Sequence, residues 1–116
     1  MSSAYLKNID HETVLSLSSL VEYAKGQVVS RTLAQSSTVS ITLFAFDANE
    51  EISTHASTGD AMLTVLDGTA LVTIGGKEYT LNAGESIVMP ANIPHAVAAP
   101  EQFKMQLTVV FPQPAA

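Results

Sequence analysis

His55 and His95 are the residues of this chain best suited to chemistry. His55 lies in Ser53–Gly68, STHASTGDAMLTVLDG, ahead of a glycine turn and an apolar run that ends in Asp-Gly. His95 closes Met89–His95, MPANIPH. Imidazole binds zinc, copper, nickel or iron, and its charge changes near neutral pH. Taken alone, each is a single histidine beside a turn, a pattern shared with structural histidines. The third, His11, stands between Asp10 and Glu12 in a polar segment and reads as solvated surface. There is no cysteine, which excludes disulfides, thiolate nucleophiles and Cys-ligated zinc. The sequence also lacks a Gly-x-Ser-x-Gly elbow, a P-loop, a dinucleotide fingerprint and a His-Glu-x-x-His pair.

The other candidate donors have plainer readings. Asp60 adjoins Ala61, so in a strand the two point to opposite faces, and Asp60 reads as a turn residue of Ser57–Asp60 facing away from any pocket. Asp47, Glu50 and Glu51 cluster in a turn and read as solvated. Met105 shares a period-two face with Phe103, Leu107 and Val109; its thioether suits a soft metal, but adaptable packing is the ordinary role. Met62 and Met89 read as core or interface.

Strands must position these residues, because helical periodicity is nearly absent. The one helical candidate is Thr13–Tyr23, with Ser16 as a cap and Leu17, Leu20 and Val21 on one face, although L-S-L-S also alternates like a strand. Beyond Gly26 the pattern is strand after strand. Val39, Ile41, Leu43 and Ala45 alternate with Ser40, Thr42, Phe44 and Phe46. Asp67-Gly68, Gly75-Gly76 and Asn82–Gly84 are turn signals, Pro90 and Pro94 bracket a loop, and Phe103–Phe111 is a last long strand. Nine or ten short strands are expected, the signature of an all-β sandwich or barrel in a single domain. The expected divisions are an N-terminal segment 1–25 (short helix or edge strand), a barrel over 26–111, and a frayed tail over 112–116.

With these residues in view, the sequence resembles the cupin family of jelly-roll, double-stranded β-helix barrels. The family's first motif, G-x5-H-x-H-x3-4-E-x6-G, meets Asn49, His55, Ser57, Ala61 and Gly68 here. The second, G-x5-P-x-G-x2-H-x3-N, meets Gly84, Pro90, Asn92, His95 and Ala99. The glycine and proline framework, Gly68, Gly75, Gly84, Pro90 and Pro94, is the stronger match, while two of four metal-ligand positions hold Ser57 and Ala61. The resemblance implies that His55 and His95 share a pocket at the barrel mouth, lined further by Ser57, Ala61, Leu63, Val65, Met105 and Leu107. It also implies one weakly bound divalent transition metal (Ni, Zn, Fe or Cu) completed by water, or none. A two-His-one-carboxylate iron site needs an acid, and a catalytic zinc needs three protein ligands. The sequence also resembles a group of small single-domain cupins with H-x3-G-D-A and M-P-A-N-x-P-H stretches, here His55–Ala61 and Met89–His95.

Composition limits the partners. The 116 residues are 47% apolar and 14% charged, with five basic and eleven acidic side chains and a net charge of −6. That balance excludes a nucleic-acid footprint and disfavours an anionic membrane surface. The N-terminus lacks a charged stretch followed by an apolar run, and the expected location is cytoplasmic. Phe44, Phe46, Met62 and Leu66 are expected on outward faces, with Val39, Ile41, Leu43, Leu63 and Val65 inward, which points to a homodimer. Two functions remain open at this level: a small-molecule or metal-binding module without turnover, and a metal-dependent enzyme of oxygenase or isomerase type.

Overall fold

Alternation of apolar and polar residues, broken at each turn signal, produces nine strands in a computed structural model that describes residues 5–113. They are β1 (Val28–Gln35), β2 (Val39–Phe46), β3 (Glu51–His55), β4 (Asp60–Asp67), β5 (Thr69–Ile74), β6 (Lys77–Asn82), β7 (Ser86–Met89), β8 (His95–Ala98) and β9 (Phe103–Val110). All pairings are antiparallel, in a five-stranded sheet of order β1-β2-β9-β4-β7 and a four-stranded sheet of order β3-β8-β5-β6. This is the expected all-β jelly roll. The described residues contain no α-helix, and none of their helices is long and apolar enough to cross a membrane.

The core lies between the inner faces of the two sheets. Phe46 and Phe103 stack there with centroids 4.5 Å apart, among Leu63, Val65, Val72, Met89 and Met105, all essentially without exposed surface. Each such side chain contributes roughly 1.5–3 kcal/mol of burial free energy. The turns are as expected: Gly75 and Gly76 both have positive φ, which a two-residue hairpin of this kind requires.

Three expectations change. First, the faces of β2 are reversed. Its register sets Phe44 opposite Met105 and Phe46 opposite Phe103, so the phenylalanines face the core. Leu43 and Ala45 lie on the outer face, yet both are fully buried there. Second, their cover is the N-terminal segment, which makes one 3-10 turn at Leu17–Leu20 and no α-helix. Ser16 precedes that turn, but its side chain caps no backbone N–H; its carbonyl accepts from the Ser19 N–H at 3.1 Å instead. Third, of the four expected outward residues only Met62 is largely exposed; Phe46 and Phe44 belong to the core and Leu66 lies in the cluster under the segment. The expected tail lies outside the described residues from 114 onward.

The segment is fastened as well as packed. Val21, Leu17, Leu20 and Ile9 join Leu33, Leu43 and Ala45 in one cluster. The Lys7 N–H donates to the Leu33 carbonyl at 2.8 Å, Arg31 donates to the Asn8 carbonyl at 3.0 Å, and the Lys104 ammonium donates to the Ser18 carbonyl at 2.6 Å while lying over the Tyr23 ring. The Tyr23 hydroxyl donates to Asp67. Burial first, and then this bond to a carboxylate, hold the phenol protonated well above the ordinary tyrosine range.

Candidate functional site

β3 and β8 bring the two histidines together by direct cross-strand pairing. The β3–β8 ladder slips between Ile52 and His55, and this irregularity sets His55 opposite His95. Their ring centroids lie 4.4 Å apart with planes inclined at 68°. His95 is buried, at 4% exposure, and His55 forms the exposed lip above it. The expected convergence of two separate motifs is therefore present in the geometry.

Both rings are held by the same local device. His55 Nδ1 lies 2.9 Å from the Ser53 carbonyl and His95 Nδ1 lies 3.2 Å from the Ile93 carbonyl, each two residues upstream. A carbonyl only accepts, so each Nδ1 must carry the proton. In the neutral rings both Nε2 atoms then keep a free lone pair, the arrangement in which an outer carbonyl orients an imidazole ligand. Burial is the main cause that pushes His95 below the ordinary histidine value; the Ile93 carbonyl opposes it and His55 adds to it. The buried ring is thus kept neutral and able to accept.

The remaining positions of the motifs are placed differently. Among the described residues, no group of three or more His, Cys, Asp or Glu side chains assembles. Ser57 is half-buried and spends its hydroxyl on the Gly59 N–H, at 3.1 Å, while its carbonyl accepts from the Asn92 N–H at 2.7 Å. Ala61, Leu63, Val65 and Met105 have at most 2% exposure and belong to the packed core. Leu107 is half-buried and packs on the same core. Asp60 points away from the histidines, as expected, but its carboxylate accepts from the Ala91 N–H at 2.8 Å instead of its own turn. Met105 is a packing residue.

Two departures from the family motifs have a backbone explanation. Asn49 and Asn92 stand where the motifs have glycine, and they adopt φ of 70° and 65°. Asparagine is among the few non-glycine residues that take this left-handed conformation readily, so the turn geometry is kept without glycine.

Sequence reasoning missed Ile74 and Lys77. The register places His55, His95, Ile74 and Lys77 in one row across β3, β8, β5 and β6. The Gly75-Gly76 turn was legible, and pairing its two flanking residues would have found Lys77. Two surface grooves, of about 470 Å³ beside Arg31 and about 320 Å³ beside Asp60, contain neither histidine. The candidate site is instead the rim around the paired rings, where two imidazoles lie 4.4 Å apart, each with Nδ1 bonded to a carbonyl.

Comparisons agree with this architecture. The family model described as "Cupin domain" matches residues 42–111. A conserved protein of unknown function from Streptococcus pyogenes has a structure similar at TM-score 0.95 and 45% identity, covering 98% of this chain and 100% of that one. A cupin superfamily protein from Desulfitobacterium hafniense follows at TM-score 0.89 and 36% identity, covering 94% and 100%. A cupin 2 conserved barrel domain protein from Leptotrichia buccalis is 41% identical at TM-score 0.81 over 83% of this chain and 47% of its own. No curated protein matches the sequence.

Proposed function

The chain belongs to the cupin family, and from that premise we propose that it is a binding module whose ligand is engaged by His55 and His95 together. The observation that carries this reading is the pair of rings 4.4 Å apart, each with Nδ1 tied to a carbonyl. Two free Nε2 lone pairs suit a divalent transition metal held weakly, with water, or a hydrogen-bond donor of a small molecule. The donor set fits two ligands of such a metal and falls short of the three that a catalytic zinc takes. The enzyme reading, oxygenase or isomerase, needs a further ligand and comes second. A cytoplasmic location, expected from the sequence, belongs to this proposal as well.

Calorimetric titration with Zn²⁺ tests it. Wild-type protein should bind weakly, and His55→Ala, His95→Gln and the double variant should each lose nearly the same binding, because one ion needs both rings. Losses that add, or wild-type protein that takes up no zinc, would remove the metal part of the reading.

Self-association is part of the same proposal, through a patch that keeps Met62 of the four expected residues and adds Val88 and Val110. Met62, Val88 and Val110 are each about half exposed on the part of the five-stranded sheet that the N-terminal segment leaves uncovered. Met62 and Val88 are directly paired, and Val110 pairs with Val39 on β2. This face presents apolar side chains on a chain of net charge −6 whose copies otherwise repel. Light scattering should give a dimer at tens of micromolar; a mass of 12.2 kDa would exclude it.

A further inference from the structure

Lys77 is the basic residue that the topology brings to the histidine face. It pairs with Ile74, Ile74 pairs with His95, and His95 pairs with His55, so all four Cα atoms lie in one row. Lys77, Tyr79 and Leu81 alternate on one face of β6; Leu81 is buried and Tyr79 packs on the core, so this face is the inner one. The Lys77 ammonium confirms the direction, lying 5.3 Å from the Tyr79 ring centroid. Of the other basic residues, Arg31 and Lys104 bond backbone carbonyls of the N-terminal segment.

Two strand spacings separate the Lys77 and His95 backbones, about 10 Å. The ammonium rests over Tyr79 on its own strand. Swung across the sheet, an extended lysine side chain would span much of that distance and leave a gap with room for a short ligand between ammonium and imidazole. Ile74 lines the gap, half-buried, and Ile93, 40% exposed, stands beside Gly75 at the same end. The row therefore offers, in order, two hydrogen-bond acceptors, an apolar floor and a cation.

We infer that Lys77 is the anion-recognising residue of this site and that its ligand is a short-chain hydroxycarboxylate, a deepening that rests on the proposed binding role of the histidines. The carboxylate meets the Lys77 ammonium in a charge-assisted bond, the methylenes lie on Ile74, and the hydroxyl donates to an imidazole Nε2. An uncharged analogue of the same shape loses the first of these contacts. In a chain of net charge −6 the cation also offsets the general repulsion of an acid.

The test is an NMR titration of metal-free protein with 4-hydroxybutanoate and, in parallel, 4-hydroxybutanamide. The acid should shift the His55 and His95 imidazole signals and bind about tenfold or more tightly than the amide, as a charge-assisted bond requires. Lys77→Met keeps the stem over Tyr79 and removes the charge; it should reduce acid binding to the level of the amide. Equal binding of acid and amide, undiminished binding by Lys77→Met, or no response to the acid would each overturn the inference. Zinc titration of the same samples separates the two readings. Histidine-dependent zinc binding together with acid binding that does not depend on Lys77, or no acid binding, overturns this inference alone. Loss of both zinc and acid binding overturns the binding role as well.

Discussion

Gly68→Ala is expected to destabilise the protein by about 3–5 kcal/mol, a large part of the stability of a domain this size. Gly68 links β4 to β5 at φ +74°, where an added Cβ would lie 2.1 Å from the Gln102 carbonyl oxygen and 3.0 Å from Phe103. Left-handed backbone costs a residue with a Cβ about 1–2 kcal/mol. The clash adds to this, because its partner is backbone leading directly into β9 and cannot rotate away. Gly76→Ala is the control: φ is +84°, but nothing lies within 4 Å of the new Cβ, so only the conformational cost of about 1–2 kcal/mol remains. Urea denaturation of both variants measures the difference. Equal midpoints would show that the close approach at Gly68 carries no energy.

Rebuilding the family's ligand set should change metal affinity most. Ser57→His with Ala61→Glu adds a third imidazole and a carboxylate to the existing pair, and Ni²⁺ or Zn²⁺ affinity should rise by roughly two orders of magnitude or more. Stability should move the opposite way until metal arrives. Ala61 is 2% exposed, so a glutamate there enters packed core without a partner, and its carboxyl is pushed toward the neutral form. The metal-free variant should melt below the parent, and added Ni²⁺ should raise its melting temperature far more than it raises the parent's. A folded variant that binds Ni²⁺ no better than the parent would show that positions 57 and 61 do not face the histidines.

Much of the architecture was legible in particular residues. Asp67-Gly68, Gly75-Gly76 and Asn82–Gly84 mark turns because their chemistry demands unusual φ or local hydrogen bonds, and each marks a turn in the structure. The motif positions of His55 and His95 predicted a shared site, since spacing relative to glycines and prolines carries strand register. Asn49 and Asn92 looked like departures from the motifs and turned out to preserve them, because asparagine serves the same backbone conformation.

What the sequence determined by itself was thus local: strand identity, turn positions, the absence of thiol chemistry, and the two residues able to accept or ligate at neutral pH. Which face of β2 is the inner one was decided only by tertiary structure. Both of its faces are apolar, since Phe44 and Phe46 meet the core while Leu43 and Ala45 lie under residues that precede them in the chain. Period-two alternation distinguishes faces only when one of them meets water. Tertiary structure alone likewise exposed His55, buried His95, and set Lys77 in their row. Those relations come from pairing between strands distant in sequence and from one slipped step in the β3–β8 ladder, and no local pattern records either.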